Sequence, residues 1–279
     1  MNFRNETKNQ HFISQIEQRL NASNLNAKSC NQEIYKFKIL NREDHQVSEG
    51  NLTKIKNNLS LNDLFSFDVI DNKDRSNFET LFGKYESDLE KYTTNLLRKI
   101  DTSGADIKDE IVNLFVSKFL NFVRNPYTAK KVLNSFPNLT TNYPTDKKLL
   151  STYRAIVEGK KPQIEYLCEQ INLSKDDYLD WLKTIFMLTA VVDPNGYNFF
   201  ENLLAEIFND PKTIIQVGIY RYDQEACLLS DQGFTNPIDQ DGVMSFDFNL
   251  NKHNFIRFIF GNIHVVSPVW ATEEVITRF

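Results

Sequence analysis

Residues 106–133, DIKDEIVNLFVSKFLNFVRNPYTAKKVL, constrain the fold more than any other stretch of this chain. Ile107, Ile111, Leu114, Phe115, Phe119, Leu120, Phe122 and Val123 recur at helical spacing. They form an apolar stripe too wide for a surface helix, which predicts a largely buried one. Pro126 lacks a backbone N–H and pushes Asn125 out of the α region, so the helix is expected to break at Arg124–Asn125. Arg124 thus ends a buried helix, and two readings of it stay open. It caps the negative helix C-terminus, worth roughly 0.3–1 kcal/mol, or it points into a site.

The flanking segments predict an α+β fold, with a central helical body, a small N-terminal β element and a C-terminal antiparallel sheet. His11–Leu20 reads as a short amphipathic helix with His11 and Gln15 four apart, and Glu33–Leu40 alternates like a half-buried strand. A second strand is expected within Asp63–Ile70. Ser76-x-x-Glu79 has capping-box spacing ahead of one long periodic helix from Phe78 to Ile100, with Gly104 placed to end it. Glu86 and Glu90 sit on its charged, solvated-looking face. Shorter helices follow around 128–133, 146–158, 162–171, 174–191 and 197–208. Strands are then expected at 213–220, 226–230, 244–250 and 255–260, with turns at Asp231–Gly233 and Asp239–Gly242. No linker forces a cut, so 1–279 reads as a single domain: β element 1–74, helical body 75–210, sheet 211–279.

Charge is distributed unevenly. The net −5 conceals a segment, 117–161, with 9 Lys/Arg against 2 Asp/Glu, and a C-terminal part, 174–279, with 7 against 15. The basic segment begins inside the buried helix and continues past its stop. It offers either a nucleic-acid surface, with Lys118, Asn125, Lys130 and Lys131 as candidate substrate-binding residues, or pairing with the acidic regions beside it. Cys30, Cys168 and Cys227 are too far apart for a Cys-x-x-Cys site and suit a reducing cytosol. No apolar run is long enough for a membrane and the first ten residues do not resemble a signal peptide, so a cytoplasmic protein is expected.

No phosphate-binding glycine loop, dinucleotide fingerprint, His-Glu-x-x-His or nucleophile elbow occurs. The four histidines lack metal-ligand spacing, and Asp239-Gln240-Asp241-Gly242 fails as a calcium loop because Pro237 holds the first ligand position. The residues name no cofactor. What remains is His11, a residue able to move a proton near neutral pH, Arg124, a bidentate anion binder, and Asp231 at a strand end.

At these positions the chain resembles domain-of-unknown-function family 4238, a mostly bacterial group. Its opening His-Tyr-Val-Pro-Gln-like segment is matched by His11-Phe12-Ile13-Ser14-Gln15, followed by Arg19. Ile34-Tyr35-Lys36-Phe37 matches a short strand, Glu86 a helical glutamate, and Arg124-Asn125-Pro126 the helix-ending Arg-x-Pro. Ser230-Asp231 matches a Ser-Asp-x-Pro turn in part, since Gln232-Gly233 follows and the next proline is Pro237. Ser14 also departs from the pattern, standing where the family has proline. Some family members sit in anti-phage loci, so the resemblance implies a defence effector acting on nucleic acid, with His11, Gln15, Arg124 and Asp231 converging as catalytic residues. The alternative is a non-catalytic sensor that recognises a phage or partner protein, with the same residues as a structural network and Arg124 paired to Asp231.

Overall fold

Pro126 stops the central helix where the sequence predicts. The helix spans Lys108–Arg124, and Asn125 leaves the α region at φ −75°, ψ 127°. This computed structural model describes residues 2–266 apart from 72, 236, 237 and 241, with backbone alone at 238–240 and 266. Asp241 of the expected turn at 239–242, and the stretch 267–279 assigned to the C-terminal sheet, lie outside the described residues.

The N-terminal element is built from short antiparallel pairs. β1 (Asn9–His11) is followed by α1 (Gln15–Leu20), β2 (Glu33–Lys36), β3 (Ile39–Asn41), β4 (Gln46–Val47), β5 (Asn51–Lys54), β6 (Ser60–Asn62), β7 (Ser66–Val69) and β8 (Arg75–Asn77). They pair as β1–β6, β2–β5, β3–β4 and β7–β8. The helical body comprises α2 (Glu79–Glu86), α3 (Leu89–Lys99), α4 (Lys108–Arg124), α5 (Ala129–Ser135), α6 (Lys147–Glu158), α7 (Ile164–Ile171), α8 (Lys175–Thr189) and α9 (Phe199–Asn209). β9 (Thr213–Arg221), β10 (Ile238–Gln240), β11 (Val243–Asn251) and β12 (Asn254–Asn262) form one antiparallel sheet in the order β10-β11-β12-β9, and α10 (Ile263–Val266) follows. The class is α+β, with the three parts in the expected order.

α4 is the hub of the core. Its Phe115 ring meets Phe258 at 4.8 Å, Phe260 at 5.3 Å and Phe248 at 5.8 Å, which docks the helix on the inner face of the sheet. On the other side Trp181 of α8 donates its indole N–H to the Val123 carbonyl at 2.8 Å. That bond satisfies one of the helix-end carbonyls that would otherwise be orphaned in the core. No helix among the described residues is long and apolar enough to cross a membrane.

Four expectations are corrected. His11 belongs to β1, paired with Ser60, and the helix begins only at Gln15, because Ser14 caps it by accepting the Glu17 N–H at 3.0 Å. The Phe78–Ile100 helix is two helices, broken at Ser87-Asp88; Ser117 of α4 donates its hydroxyl to the Tyr85 carbonyl at 2.7 Å, so the first helix can end against α4. Ser76 does not cap it either, since that residue is drawn into β8, and Asn77 accepts the Glu79 N–H instead. Residues 226–230 are not a strand: they cross the sheet edge, held by bonds such as Cys227 N–H to the Lys252 carbonyl and Asn249 Nδ2 to the Cys227 carbonyl.

Candidate functional site

Three faces converge at the stop of α4. Lys118, Asn121 and Arg124 recur at steps of three along the helix and make a polar stripe on an otherwise apolar rod. Glu17 of α1 faces the first two, and Glu86 of α2 faces the third. Lys118 is 0% exposed and donates to Glu17 Oε1 at 2.5 Å and to the Asn249 carbonyl of β11 at 2.6 Å. Asn121 donates to Glu17 Oε2 at 3.0 Å and accepts from Arg124 Nη2 at 3.1 Å. The Arg124 Nη1 pairs with Glu86 Oε1, and its guanidinium lies 5.3 Å from the Phe82 ring centroid. The result is a chain of alternating charge, Lys118–Glu17–Asn121–Arg124–Glu86, that ties three helices and the sheet together.

His11 lies beside this chain. It is 7% exposed, with Nε2 3.3 Å from the Ile55 carbonyl and Nδ1 3.4 Å from Gln15 Nε2. Arg19 in turn donates to Gln15 Oε1 at 2.7 Å. Burial, reinforced by the positive charges of Arg124 and Arg19, pulls the His11 pKa down to about 4, so the imidazole is neutral at pH 7. Glu79, two turns from Glu86 on the same side of α2, goes the other way. Burial and the Glu86 charge push it up to about 7 against the pull of Arg124. Burial also raises Glu86, countered by Arg124.

The opposed shifts have a consequence for stability. His11 is depressed on folding, so its contribution is present above pH 6.5 and lost as pH falls toward 4. Glu79 is raised, so its contribution is present below pH 4.5 and lost as pH rises toward 7. Between pH 4.5 and 6.5 the two oppose each other. In urea denaturation, Glu79→Gln is expected to expose the His11 effect, with stability falling on acidification through this window by up to about 2–3 kcal/mol, less what the raised Glu86 offsets. His11→Gln is expected to show the reverse slope, smaller because Glu79 is only half-buried. Parallel pH profiles for both variants would rule out this coupling.

The sequence-predicted residues divide clearly. His11, Gln15 and Arg124 share one neighbourhood. Asn125 sits at its edge, where its side-chain amide donates to the Asp231 carbonyl at 2.8 Å and its Oδ1 accepts from the Tyr127 N–H. Asp231 comes to the helix stop through that backbone bond. Its carboxylate is exposed, 3.5 Å from the Ser230 hydroxyl, so Arg124 pairs with Glu86 and not with Asp231. The loop is held tightly: Gly233 has φ +79°, and a Cβ there would lie 2.6 Å from Asn121 Nδ2. Lys118 is a buried strut, not a substrate-binding surface cation, while Lys130 and Lys131 are exposed on α5. The basic segment therefore presents fewer charges to solvent than its composition suggests. Glu86 faces Arg124, contrary to the solvated reading of its helix face.

Glu17, Arg19, Asn121 and Glu79 complete the cluster, and of these only Arg19 was singled out in the sequence. The polar steps 118, 121 and 124 inside an apolar helix were the signal for Asn121; Glu79 was marked only as a capping residue, and nothing local marks Glu17. Two donors remain without acceptors: Arg19 Nε and Arg124 Nε are buried with no hydrogen-bond partner. No group of three or more metal-ligating side chains occurs among the described residues. Compared with protein-family models, curated proteins and solved structures, the chain matches none.

Proposed function

We propose that this chain is an anti-phage defence effector that acts on phosphodiesters of nucleic acid, with its reaction centre at His11, Gln15, Arg19 and Arg124. The observation that carries the reading is the pair of buried, acceptor-less guanidinium N–H groups of Arg19 and Arg124, the two charges that act on His11. A buried unpaired donor costs about 1–3 kcal/mol, and an anion is the ligand that relieves it. The single negative charge of a bound phosphodiester counters part of the field of these two cations, so it raises the His11 pKa toward the range of a working base. His11 then takes the proton from the attacking hydroxyl, Arg124 and Arg19 stabilise the phosphorane charge, and Glu79, held protonated near neutrality, donates to the leaving oxygen. The resemblance to family 4238 supplies the defence context.

A second reading has an observation of its own. Arg124 is 2% exposed and already paired with Glu86, which suits a sealed ionic network in a non-catalytic sensor of a phage or partner protein. NMR titration of the His11 imidazole separates the two. With a non-hydrolysable single-stranded oligonucleotide present, the effector reading expects the His11 pKa to rise from about 4 by at least one unit. An unchanged titration with saturating oligonucleotide sinks the effector reading and leaves the network.

A further inference from the structure

A second cluster of positive charge lies away from the α4 stop. A groove of about 270 Å³ has Lys8, Asp63, Asp71, Arg75 and Lys160 in its lining, and none of the His11 cluster. We infer that this groove binds a phosphate group, held by the ammoniums of Lys8 and Lys160 over the Arg75 guanidinium.

Its carboxylates are already committed. Asp71 Oδ1 accepts the backbone N–H groups of Lys73 at 2.7 Å and Asp74 at 2.8 Å. Asp63 Oδ1 accepts the Ser66 hydroxyl at 2.9 Å and lies 3.3 Å from Arg75 Nε. Arg75 is 3% exposed and donates to the Glu6 carbonyl at 3.1 Å and the Asp71 carbonyl at 3.5 Å, while its Nε faces Asp63 without a hydrogen bond. Lys8 and Lys160 are both exposed, and neither ammonium has an ion-pair partner among the described residues.

The backbone fixes both lysines at the rim. The Lys8 carbonyl accepts the Asp63 N–H at 2.7 Å, and Asp63 holds a left-handed φ of 57° to make that turn. The Lys160 carbonyl accepts the Val69 N–H at 2.8 Å, and the Lys160 N–H donates to Asp68 Oδ1 at 3.1 Å. Gly159 beside it leaves no room for a side chain, since a Cβ would lie 2.3 Å from the Phe67 carbonyl. Two uncommitted cations on backbone held by these bonds, beside the Arg75–Asp63 ion pair, form an electrostatic funnel for an anion, and phosphate offers acceptors for both ammoniums. The phosphate can come from a free nucleotide or from a nucleic-acid backbone.

The test is calorimetric titration of wild type and the Lys8→Ala/Lys160→Ala double variant with pyrophosphate, and separately with a single-stranded oligonucleotide. Both ammoniums are exposed, so the double variant is expected to fold, with circular dichroism as the check. The inference expects pyrophosphate to bind wild type, the double variant to bind it at least about tenfold more weakly, and charge reversal in Lys8→Glu alone to weaken it too. Oligonucleotide affinity that falls in parallel identifies a nucleic-acid backbone as the source; oligonucleotide affinity that is unchanged identifies a free nucleotide. His11→Ala is expected to bind pyrophosphate as wild type does, so failure at the α4 stop leaves this result intact. No pyrophosphate binding by wild type, or equal binding by the double variant, overturns the inference.

Discussion

Lys118→Met is expected to destabilise the protein by about 3–5 kcal/mol at pH 7. The lysine ammonium is fully buried, and its two partners are Glu17 and the Asn249 carbonyl. Truncating it leaves the Glu17 carboxylate in the core with only the Asn121 amide for company. A charge so stranded must protonate or draw in water, and both cost free energy. Exchanging both partners is a different matter, because no charge is left behind. Glu17→Gln/Lys118→Met is therefore expected to recover at least about half of the loss. Urea denaturation of the two single variants and the double variant measures this directly. A Lys118→Met cost below about 1 kcal/mol would mean that the ammonium is a passenger.

The second large effect belongs to Arg124. Arg124→Met leaves Glu86 without its ion pair and removes the one favourable charge acting on Glu79. Both carboxyls are already pushed up by burial, so the variant should keep them protonated to still higher pH. Its stability deficit is expected to be about 3 kcal/mol at pH 8 and to shrink as pH falls toward 5, since protonated carboxyls no longer need the cation. Arg124→Lys keeps the charge but not the planar fork that serves Glu86 and Asn121 together, so it should sit between the two. In the effector reading either substitution also lowers the rate by about 10²–10³-fold, through the lost stabilisation of the phosphorane. The sealed-network reading expects the stability change and no rate to lose.

Much of this was legible in the chain because local rules decide it. The apolar period of 107–123 and the Pro126 stop fix α4 without help from distant residues. The alternating runs near 213, 244 and 255 likewise fix most of the C-terminal sheet. Where long-range contacts decide, the sequence was silent or misleading. The Phe78–Ile100 pattern is continuous, yet the Ser117 hydroxyl, over thirty residues away, accompanies its division in two. His11 carries helix-like spacing but pairs with β6, because Ser14 makes the better cap. The site shows the same divide. Arg124 was visible as a charge at an awkward place, whereas periodicity put its partner Glu86 on a charged helix face and only the family resemblance set it apart. The net charge of 117–161 misled most, because Lys118 and Arg124, two of its cations, are spent inside the protein.

Release of labelled fragments from single-stranded RNA and DNA by purified wild type and His11→Ala decides whether His11 acts on a phosphodiester. His11 sits beside the charge chain and not within it, so its removal should leave the fold standing. Wild type is expected to cleave, and His11→Ala to lower the rate by about 10²–10⁴-fold. Equal cleavage by the two proteins, or none by either, would contradict that role.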